Sequence, residues 1–357
     1  MLTSTVSENR DDGEALADAV RATSSAGRPL RIVGGGTKSF YGRTTDGDVL
    51  DLSGHRGVVD YEPSELVITA RAGTPIQAIE ALLAENGQRL AFEPPVLGAA
   101  STFGGVIAAG LAGPRRPFAG AVRDSVLGVR VLNGAGQSLR LGGTVFKNVA
   151  GFDGFRLMAG ALGCLGVLLE VSVRVSPIPA AERTLSLDMG WAAARSRLTD
   201  LMRRPTPLDG AAHDGERLHL RLAGPEGVVS ATAAELGGDS TPASFWPGLR
   251  HHTLPLLTSP RLWRLAVPRT CDLPELPGVW LRDWAGGEIW LVSEATSKQV
   301  RALAGGVGGH ATLYRGARTG EEVFAPLPAP LLALHQRLKA VFDPAGIFNP
   351  GRMYAGL

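Results

Sequence analysis

The spacing of apolar residues along the chain predicts a mixture of helices and strands. Residues 13–23 place Leu16, Ala19 and Val20 on one helical face, so we predict a short opening helix. Residues 29–36, PLRIVGGG, are typical of a strand that ends in glycines. Two more β-prone runs follow and are divided by a glutamate–proline turn, which indicates an early pair of strands.

A second helix is predicted from its end signals. Thr74 is expected to cap its first turn, Pro75 occupies the first helical position, and Gln77 completes a capping box. Apolar residues then recur at helical spacing up to Gly87, which ends the pattern. These signals predict a helix that begins at Pro75 and ends before Gly87.

The middle of the chain combines a glycine-rich loop with strongly β-prone runs. The loop, residues 92–116, contains one short predicted helix at 103–109. Residues 125–141 predict a β-hairpin, because two β-prone runs join across an Asn-Gly-Ala-Gly turn. Residues 153–163 predict another short helix, and the run 164–177 predicts a strand that a proline closes.

The character of the sequence changes after Pro179. Residues 180–320 show alternating short strands and helices with several prolines, which indicates a second domain. A C-terminal helix is expected at 331–342, with most of its apolar residues on one face. We therefore predict a first domain over residues 1–177, a smaller α+β cap domain over 178–325, and a C-terminal helix and tail over 326–357 that return to the first domain.

Composition limits the functions that the chain can have. Glycine contributes 47 of 357 residues, roughly double the usual frequency. The formal net charge of +2 comes without a long basic run, so nothing predicts nucleic-acid binding. Cys164 and Cys271 match no metal or disulfide spacing, and the polar amino terminus is not a signal peptide. We expect a cytoplasmic protein without a membrane anchor of its own.

The first glycine run has the chemistry of a phosphate-binding loop. Gly34, Gly35 and Gly36 are followed by the hydroxyls of Thr37 and Ser39. Glycine lets successive backbone N–H groups converge on an anion, and side chains would block the approach of a diphosphate. A Rossmann fold is rejected, because Ser39 stands at the third glycine position and no helix follows. A glycine-rich turn without a ligand is the alternative.

Two more glycine runs extend this pattern. Residues 101–113, STFGGVIAAGLAG, again place small hydroxyls before paired glycines, so two loops could grip one diphosphate from two sides. Residues 160–166 carry a glycine at every third position and lead into a strand, which suits a backbone edge along a flat ring. Without a ligand, close backbone packing in a glycine-rich core would explain the run 101–113, and a small-residue junction between a helix and a strand would explain the run 160–166.

Taken together and in order, these runs resemble the FAD-binding family typified by vanillyl-alcohol oxidase and p-cresol methylhydroxylase. The resemblance covers residues 29–176 almost continuously and returns at 341–353. It implies an α+β fold, namely a two-subdomain FAD-binding domain of the p-cresol methylhydroxylase type plus a smaller α+β cap domain, and not a Rossmann fold. Within this family, residues 108–130 and 147–153 resemble the small FAD-binding subunits of bacterial glycolate oxidases.

The resemblance implies FAD, held by residues of all three glycine runs and by two charged residues. The implied contacts are Gly34, Gly35, Gly36, Thr37, Lys38, Ser39, Ser101, Thr102, Gly104, Gly105, Gly163, Gly166, Val167, Arg115 and Asp124. Many family members attach the flavin through a histidine or cysteine near the first loop, but residues 29–50 contain neither. We therefore predict FAD that is bound without a covalent bond.

No catalytic or metal-binding residue is predicted. The larger D-2-hydroxy-acid-oxidising relatives carry clustered histidines, whereas those of this chain are scattered, so a metal site is unsupported. Arg315, Arg318 and Arg352 could clamp a substrate carboxylate, and Lys147 could lie near the flavin ring. Arg352 has an alternative role with Asn349, which is to dock the C-terminal segment on the FAD-binding domain.

The resemblance also implies partners. We expect a FAD-binding subunit of a glycolate oxidase or dehydrogenase assembly, with a larger FAD-binding sister subunit, an iron–sulfur subunit and a small 2-hydroxy acid as substrate. The chain has two cysteines, too few for a cluster of its own. Two alternatives stay open: a self-sufficient FAD-dependent oxidase or dehydrogenase of a small D-2-hydroxy acid, and a non-catalytic scaffold with a vestigial FAD site. The assembly is expected in the cytoplasm, or at the inner membrane face through its partners.

Overall fold

Two compact units divide the chain. The computed structural model describes residues 9–144, 152–273 and 275–357. The first unit contains the residues up to Leu111 together with Ala121–Pro177 and Pro326–Leu357, and the second contains Ala112–Gly120 and Ile178–Ala325. Both units combine helices and strands, which confirms the expected α+β class.

The first unit is built around an antiparallel sheet. Its strands are β1 (Leu30–Val33), β2 (Asp48–Asp51), β3 (Val58–Glu62), β4 (Val67–Arg71), β5 (Gln88–Arg89), β6 (Val126–Leu132), β7 (Ser138–Gly142), β8 (Val167–Arg174) and β9 (Ser176–Pro177). The sheet has the order β3-β4-β8-β6-β7, and its central strand β8 is buried along almost its whole length. β1 and β2 form a separate parallel pair, and β1 ends at the first glycine run. The predicted hairpin (β6 and β7) and the predicted strand β8 are confirmed.

Short helices flank these strands in the first unit. They are Gly13–Ser25, Ile76–Glu85, Phe103–Ala109, Val122–Ser125 and Ala329–Phe342, with 3-10 turns at Pro63–Glu65 and Gly154–Met158. The opening helix and the helix Phe103–Ala109 are confirmed, whereas the helix predicted at 153–163 is only a 3-10 turn. Within the described residues, no helix has both the length and the apolar character that a membrane crossing needs.

The predicted cap of the helix Ile76–Glu85 is wrong. Thr74 Oγ1 accepts a hydrogen bond from Gly57 N at 3.0 Å and donates one to Gly57 O at 3.2 Å. The helix begins after Pro75 without a side-chain cap. The hydroxyl therefore ties the loop before β3 to the end of β4, a long-range bond that the local capping pattern does not reveal.

An eight-stranded antiparallel sheet forms the second unit. Its strands are β10 (Ala181–Asp188), β11 (Leu208–His213), β12 (Arg217–Gly224), β13 (Asp239–Ser240), β14 (Leu262–Ala266), β15 (Val279–Asp283), β16 (Glu288–Val292) and β17 (His310–Arg315), in the order β13-β10-β12-β11-β15-β16-β14-β17. Its helices are Arg116–Ala119, Trp191–Met202, Glu226–Leu236, Phe245–Arg250 and Ser297–Gly306, with 3-10 turns at Pro255–Thr258 and Trp284–Gly286. Two apolar clusters, one around Leu220 and one around Trp263, pack the helices Trp191–Met202, Glu226–Leu236 and Ser297–Gly306 against the sheet.

A buried lysine holds the C-terminal segment within the first unit. Lys339 Nζ donates to Cys164 O at 2.8 Å, to Phe348 O at 2.6 Å and to Asp343 Oδ2 at 2.8 Å. A charged amine this deeply buried is tolerated because each of these oxygens accepts one of its protons. The segment beyond it is hydrogen-bonded to β1, so the end of the chain reaches the first glycine run.

Candidate cofactor site

A cleft in the first unit brings together all three glycine runs. It encloses about 1050 Å³ of atom-free space, counting the part that is open to solvent. Its wall includes the loop after β1, residues from both ends of the helix Phe103–Ala109, residues of the segment 158–168, and two residues of the C-terminal segment. Its wall combines apolar side chains with a few polar groups, which is the usual composition of small-molecule and cofactor sites.

The first loop presents a row of unpaired backbone donors to this cleft. Among the described residues, the N–H groups of residues 34–38 find no acceptor in the protein. Ser39 N instead donates to Gly36 O at 3.1 Å, which closes the turn behind them. Backbone donors in folded proteins nearly always have partners, and successive free ones in a concavity form a nest for an anion. The loop is therefore equipped to receive a diphosphate.

Close packing between the first two loops explains part of their glycine content. A Cβ at Gly34 would lie 2.3 Å from Thr102 Oγ1, and a Cβ at Gly35 would lie 1.5 Å from Ala100 O. Gly36 differs, because the space around it is open and its φ of +67° is one that glycine adopts without strain. The packing alternative therefore holds for Gly34 and Gly35, and it places the row of donors beside the second loop.

Lys38 connects the two loops. Its Nζ donates to Ser101 Oγ at 3.2 Å, and Ser101 Oγ lies 2.8 Å from Thr37 Oγ1. No carboxylate pairs with Lys38 in the part of the chain that the structure describes. Burial lowers the pKa of Lys38 to about 8. An anion bound in the cleft would balance the positive charge of Lys38.

The third glycine run lines another part of the cleft with backbone. A Cβ at Gly163 would lie 2.6 Å from Asn349 Nδ2, and a Cβ at Gly166 would lie 2.6 Å from Val131 Cγ2. Gly163 also has a φ of +73°, which favours glycine. Neighbouring side chains leave no room for a Cβ at either position, so glycine is needed at both. The main chain therefore lies directly along the cleft at these residues.

Asn349 and Arg352, from the C-terminal segment, brace the cleft. Asn349 Oδ1 accepts from Ile32 N at 2.9 Å, and Asn349 Nδ2 donates to Leu162 O at 2.7 Å. Arg352 donates to four backbone oxygens of the first loop and its continuation: Lys38 O at 3.3 Å, Ser39 O at 2.9 Å, Tyr41 O at 2.7 Å and Arg43 O at 3.0 Å. The docking role proposed for these two residues is confirmed, and the guanidinium of Arg352 is used for the loop rather than for a substrate carboxylate.

The other two arginines considered for a substrate carboxylate lie in the second unit. Arg315 Nη1 donates to Leu257 O at 2.7 Å, so it holds a turn of its own unit. Arg318 is exposed. Neither arginine therefore belongs to the unit that contains the cleft.

Several residues that the resemblance implied are not among those that line the cleft. Arg115 belongs to the second unit, where its Nε donates to Asp209 Oδ1 at 2.8 Å. Asp124 accepts from a backbone N–H in the first unit, and Val167 is a fully buried residue of β8; neither lines the cleft. The contacts of all the implied residues with FAD stay predictions. Lys147 lies outside the described residues.

Attachment of a flavin through histidine or cysteine would require one of these side chains in the wall of the cleft. Among the described residues, none of those that line it is a histidine or a cysteine. Cys164 stands between Gly163 and Gly166 in sequence, but it is buried, and burial raises the pKa of its thiol to about 11. The thiolate is the nucleophilic form of cysteine, so this thiol is a poor one. These features favour FAD held by non-covalent contacts.

The buried histidines of the second unit are engaged by the protein itself. His213 Nε2 donates to Met189 O at 2.8 Å, and His219 lies between Ser186 Oγ at 2.9 Å and Asp214 Oδ2 at 2.8 Å. Serine, histidine and aspartate in this order form nucleophilic triads, but Ser186 is only 1% exposed, so no substrate reaches it. Among the described residues, no group of three or more His, Cys, Asp or Glu side chains could hold a metal ion.

Two segments that contribute to the cleft match known families of FAD proteins. Residues 11–142 match the family described as FAD binding domain, and residues 320–353 match the family described as FAD linked oxidases, C-terminal domain. The first match contains the first two glycine runs, and the second contains Asn349 and Arg352. The fold and the cleft together define a FAD-dependent oxidoreductase of the FAD-linked oxidase class.

Similarity to whole proteins narrows this class. The chain is 47% identical to the glycolate oxidase subunit GlcE of Escherichia coli (strain K12) over 348 residues, which is 97% of this chain and 99% of the relative. It is 32% identical to the glycolate oxidase subunit GlcD of Bacillus subtilis (strain 168) over 160 residues, 44% of this chain and 34% of the relative. The chain belongs to the family of the glycolate oxidase subunit GlcE, which confirms the resemblance inferred from its glycine runs.

A solved structure supports the fold class independently of these sequence matches. An alkyldihydroxyacetonephosphate synthase superposes with a TM-score of 0.67 over 94% of this chain and 75% of that chain, at 14% sequence identity. At this low identity the likeness is one of fold alone. Together with the match to the FAD binding domain, it confirms the fold of the vanillyl-alcohol oxidase type and the rejection of a Rossmann fold.

Proposed function

We propose that this chain is the FAD-binding subunit of a glycolate oxidase or dehydrogenase assembly. In this proposal a larger FAD-binding sister subunit oxidises glycolate to glyoxylate, and an iron–sulfur subunit carries the electrons on. The observation that carries the proposal is the 47% identity to the GlcE subunit across nearly the full length of both chains. We place the assembly in the cytoplasm, with any contact to the inner membrane face made by its partners.

In the proposed site, FAD lies in the cleft with its diphosphate between the two loops. The free N–H groups of residues 34–38 and the ammonium of Lys38 would face the diphosphate, and Thr102 and Gly105 would complete the grip from the second loop. The backbone edge at Gly163 and Gly166 would lie along the flavin. When bound, FAD supplies reversible transfer of one or two electrons.

The cleft suits FAD because its wall offers hydrogen-bond donors and a positive charge for which the described protein supplies no anion. A row of donors without an acceptor in the described protein and a half-buried ammonium without a carboxylate together form a suitable site for an anion. The apolar residues that share the wall, among them Val33, Leu52 and Leu168, suit an aromatic ring system. Arg352 donates to backbone oxygens of the first loop and its continuation, so it helps to hold the donors in place.

The second unit gives no support for catalysis by this chain alone. Its buried histidines are used in structural hydrogen bonds, and Arg315 is used in the same way. Oxidation of a 2-hydroxy acid requires a group that takes the hydroxyl proton and a group that holds the carboxylate. We therefore assign substrate oxidation to the sister subunit, and electron relay or stabilisation of the assembly to this chain.

Flavin reduction in the purified chain tests this assignment. The chain is mixed with glycolate or with D-lactate in the absence of oxygen, and the flavin absorbance is followed with and without the partner subunits. We expect no bleaching of the flavin by the chain alone and rapid bleaching in the complete assembly. Rapid bleaching of the isolated chain would favour a self-sufficient hydroxy-acid dehydrogenase, and a protein that never binds FAD would favour a scaffold.

A further inference from the structure

Arg282, in strand β15 of the second unit, is a buried cation without an acceptor. The residue is only 5% exposed, and its Nε is buried with no hydrogen-bond partner. Within the described ranges 9–144, 152–273 and 275–357, its guanidinium forms no hydrogen bond and no ion pair. Buried arginines are almost always paired, because it is costly to remove a charge from water. The guanidinium of Arg282 therefore carries donors and a charge that the described protein does not use.

Two indole rings hold this guanidinium. Its central carbon lies 4.3 Å from the centroid of the Trp191 ring and 5.0 Å from that of the Trp280 ring. The imidazole of His213 packs against both indoles, with centroid distances of 5.7 Å to Trp191 and 5.6 Å to Trp280. Contact between a cation and the face of an indole ring is stabilising, but it occupies none of the N–H groups of the cation. The aromatic residues therefore fix the guanidinium in place and leave its donors free.

The neighbouring ionisable groups do not balance the charge of Arg282. Cys271 is close enough to interact with it electrostatically, but burial raises the pKa of this thiol, so the thiol is neutral at pH 7. The carboxylate of Asp272 is 90% exposed and pairs with Arg195 at 2.9 Å. Asp283 follows Arg282 in the strand, so its side chain lies on the opposite face, where it accepts from a backbone N–H at 2.6 Å. Burial lowers the pKa of Arg282 to about 10, which still leaves it charged at neutral pH.

We propose that Arg282 is the centre of a carboxylate-binding site in the second unit. Arginine binds a carboxylate through two parallel N–H···O bonds that lie in the plane of the guanidinium. The indoles of Trp191 and Trp280 pack on the guanidinium, so a ligand must approach in that plane. A carboxylate is itself planar and suits this approach, whereas a phosphate is tetrahedral and wider. The nearby Arg195 adds a second positive charge that favours an anion.

The residues around Arg282 give a ligand access from solvent. Trp191, Arg195, Cys271 and Trp280 are all partly exposed, although Arg282 itself is buried. None of these five residues lines the cofactor cleft. The proposed site therefore belongs to the second unit alone, and the proposal does not rest on the proposed function.

Binding of acetate to the full FAD-loaded chain tests the proposal. Acetate serves as the carboxylate probe, and the bound FAD prevents it from occupying the cofactor cleft. Melting temperature and tryptophan fluorescence are followed as sodium acetate replaces sodium chloride at constant ionic strength, in a buffer without other carboxylates or phosphate. Inorganic phosphate is titrated in the same way. The variants are Arg282→Met and Arg282→Lys, and the matched control is Arg203→Met, which removes an exposed arginine of the same unit.

We expect acetate to bind saturably to the wild type and to Arg203→Met, and to raise both melting temperatures. Arg282→Met keeps an apolar side chain of similar length but loses every donor, so its affinity for acetate should fall at least about tenfold. Arg282→Lys keeps the charge without the planar fork and should also bind acetate about tenfold more weakly. In the absence of acetate, Arg282→Met should melt no lower than the wild type, because an unbalanced buried charge has been removed.

Four results would overturn the proposal. The first is a wild type that does not respond to acetate, and the second is an equal response of the wild type and the Arg282 variants. The third is binding of phosphate as tight as that of acetate, which would contradict the assignment to carboxylates. The fourth is a lower melting temperature or failed folding of Arg282→Met together with unchanged acetate affinity in Arg282→Lys, which would show that Arg282 has only a structural role.

Discussion

The charge of Lys38 provides the sharpest prediction about the cofactor cleft. Lys38→Met keeps the length and most of the volume of the side chain but removes the ammonium that lies 3.2 Å from Ser101 Oγ. A hydrogen bond to a charged group contributes about 1.5–3 kcal/mol, which corresponds to a loss of FAD affinity of about 10- to 150-fold. Lys38→Arg keeps the charge and is expected to bind FAD far more tightly than Lys38→Met.

The pH dependence of FAD binding gives the same residue an independent signature. In the free protein burial lowers the pKa of Lys38 to about 8, and a bound diphosphate would raise it again. Below about pH 8 the ammonium is already present, so binding is independent of pH. Above it binding must take up a proton, and the affinity falls by up to about tenfold per pH unit until the pKa of the complex is reached.

A flavin fluorescence titration of the apoprotein measures both effects. Dissociation constants are determined from about pH 7 to about pH 10 for wild type, Lys38→Met and Lys38→Arg. We expect the slope above about pH 8 in the wild type and its absence in Lys38→Met. The reasoning is refuted if Lys38→Met binds FAD as tightly as the wild type, or if the slope survives in that variant.

Three further predictions concern the loops and their support. Gly35→Ala should yield protein without FAD, because the added Cβ would lie 1.5 Å from Ala100 O. Gly36→Ala meets open space and should lower the free energy of unfolding by only about 1–2 kcal/mol, because of its positive φ. Flavin content and thermal unfolding distinguish the two variants, and equal behaviour would contradict the packing argument. Asn349→Ala leaves Ile32 N and Leu162 O without partners and should lower the free energy of unfolding by about 2–4 kcal/mol in denaturant titrations, so an unchanged midpoint would count against this bracing role. Arg352→Met removes four bonds to the first loop and should weaken FAD binding more than Arg318→Met, an exposed control; equal binding by the two variants would show that the loop needs no support.

Elements governed by local pattern were predictable from the sequence. The opening helix, the helix Phe103–Ala109 and the hairpin of β6 and β7 follow from periodicity and turn chemistry within a few residues. Strand β8 follows from its unbroken β-prone run. In each case the signal and the structure lie in the same short stretch of chain, which is why the pattern was sufficient.

Features that depend on distant residues were not predictable in the same way. The hydroxyl of Thr74 bonds to Gly57 instead of capping its helix, and only the folded chain brings these residues together. The order of the eight strands in the second unit is likewise set by pairings between distant segments.

The glycines and the C-terminal helix show the same limit within the candidate site. A glycine-rich loop could be recognised from the sequence, but the neighbour that makes Gly35 obligatory is Ala100 on the other loop. The C-terminal helix has an apolar face by periodicity, yet its anchor is Lys339, and the leucines predicted to pack are partly exposed. The sequence pattern was sufficient to select the glycines and the C-terminal helix, but their contacts are known only from the fold.

The binding of FAD without a covalent bond is the central claim, and the absorbance of the purified chain tests it most directly. We expect a yellow protein with the two flavin bands and about one FAD per chain. We also expect acid precipitation to release all of the flavin into the supernatant, because no histidine or cysteine among the described residues lines the cleft. A colourless protein that takes up no added FAD would contradict the assignment of the cleft. Flavin that remains in the acid pellet would contradict the non-covalent mode of binding.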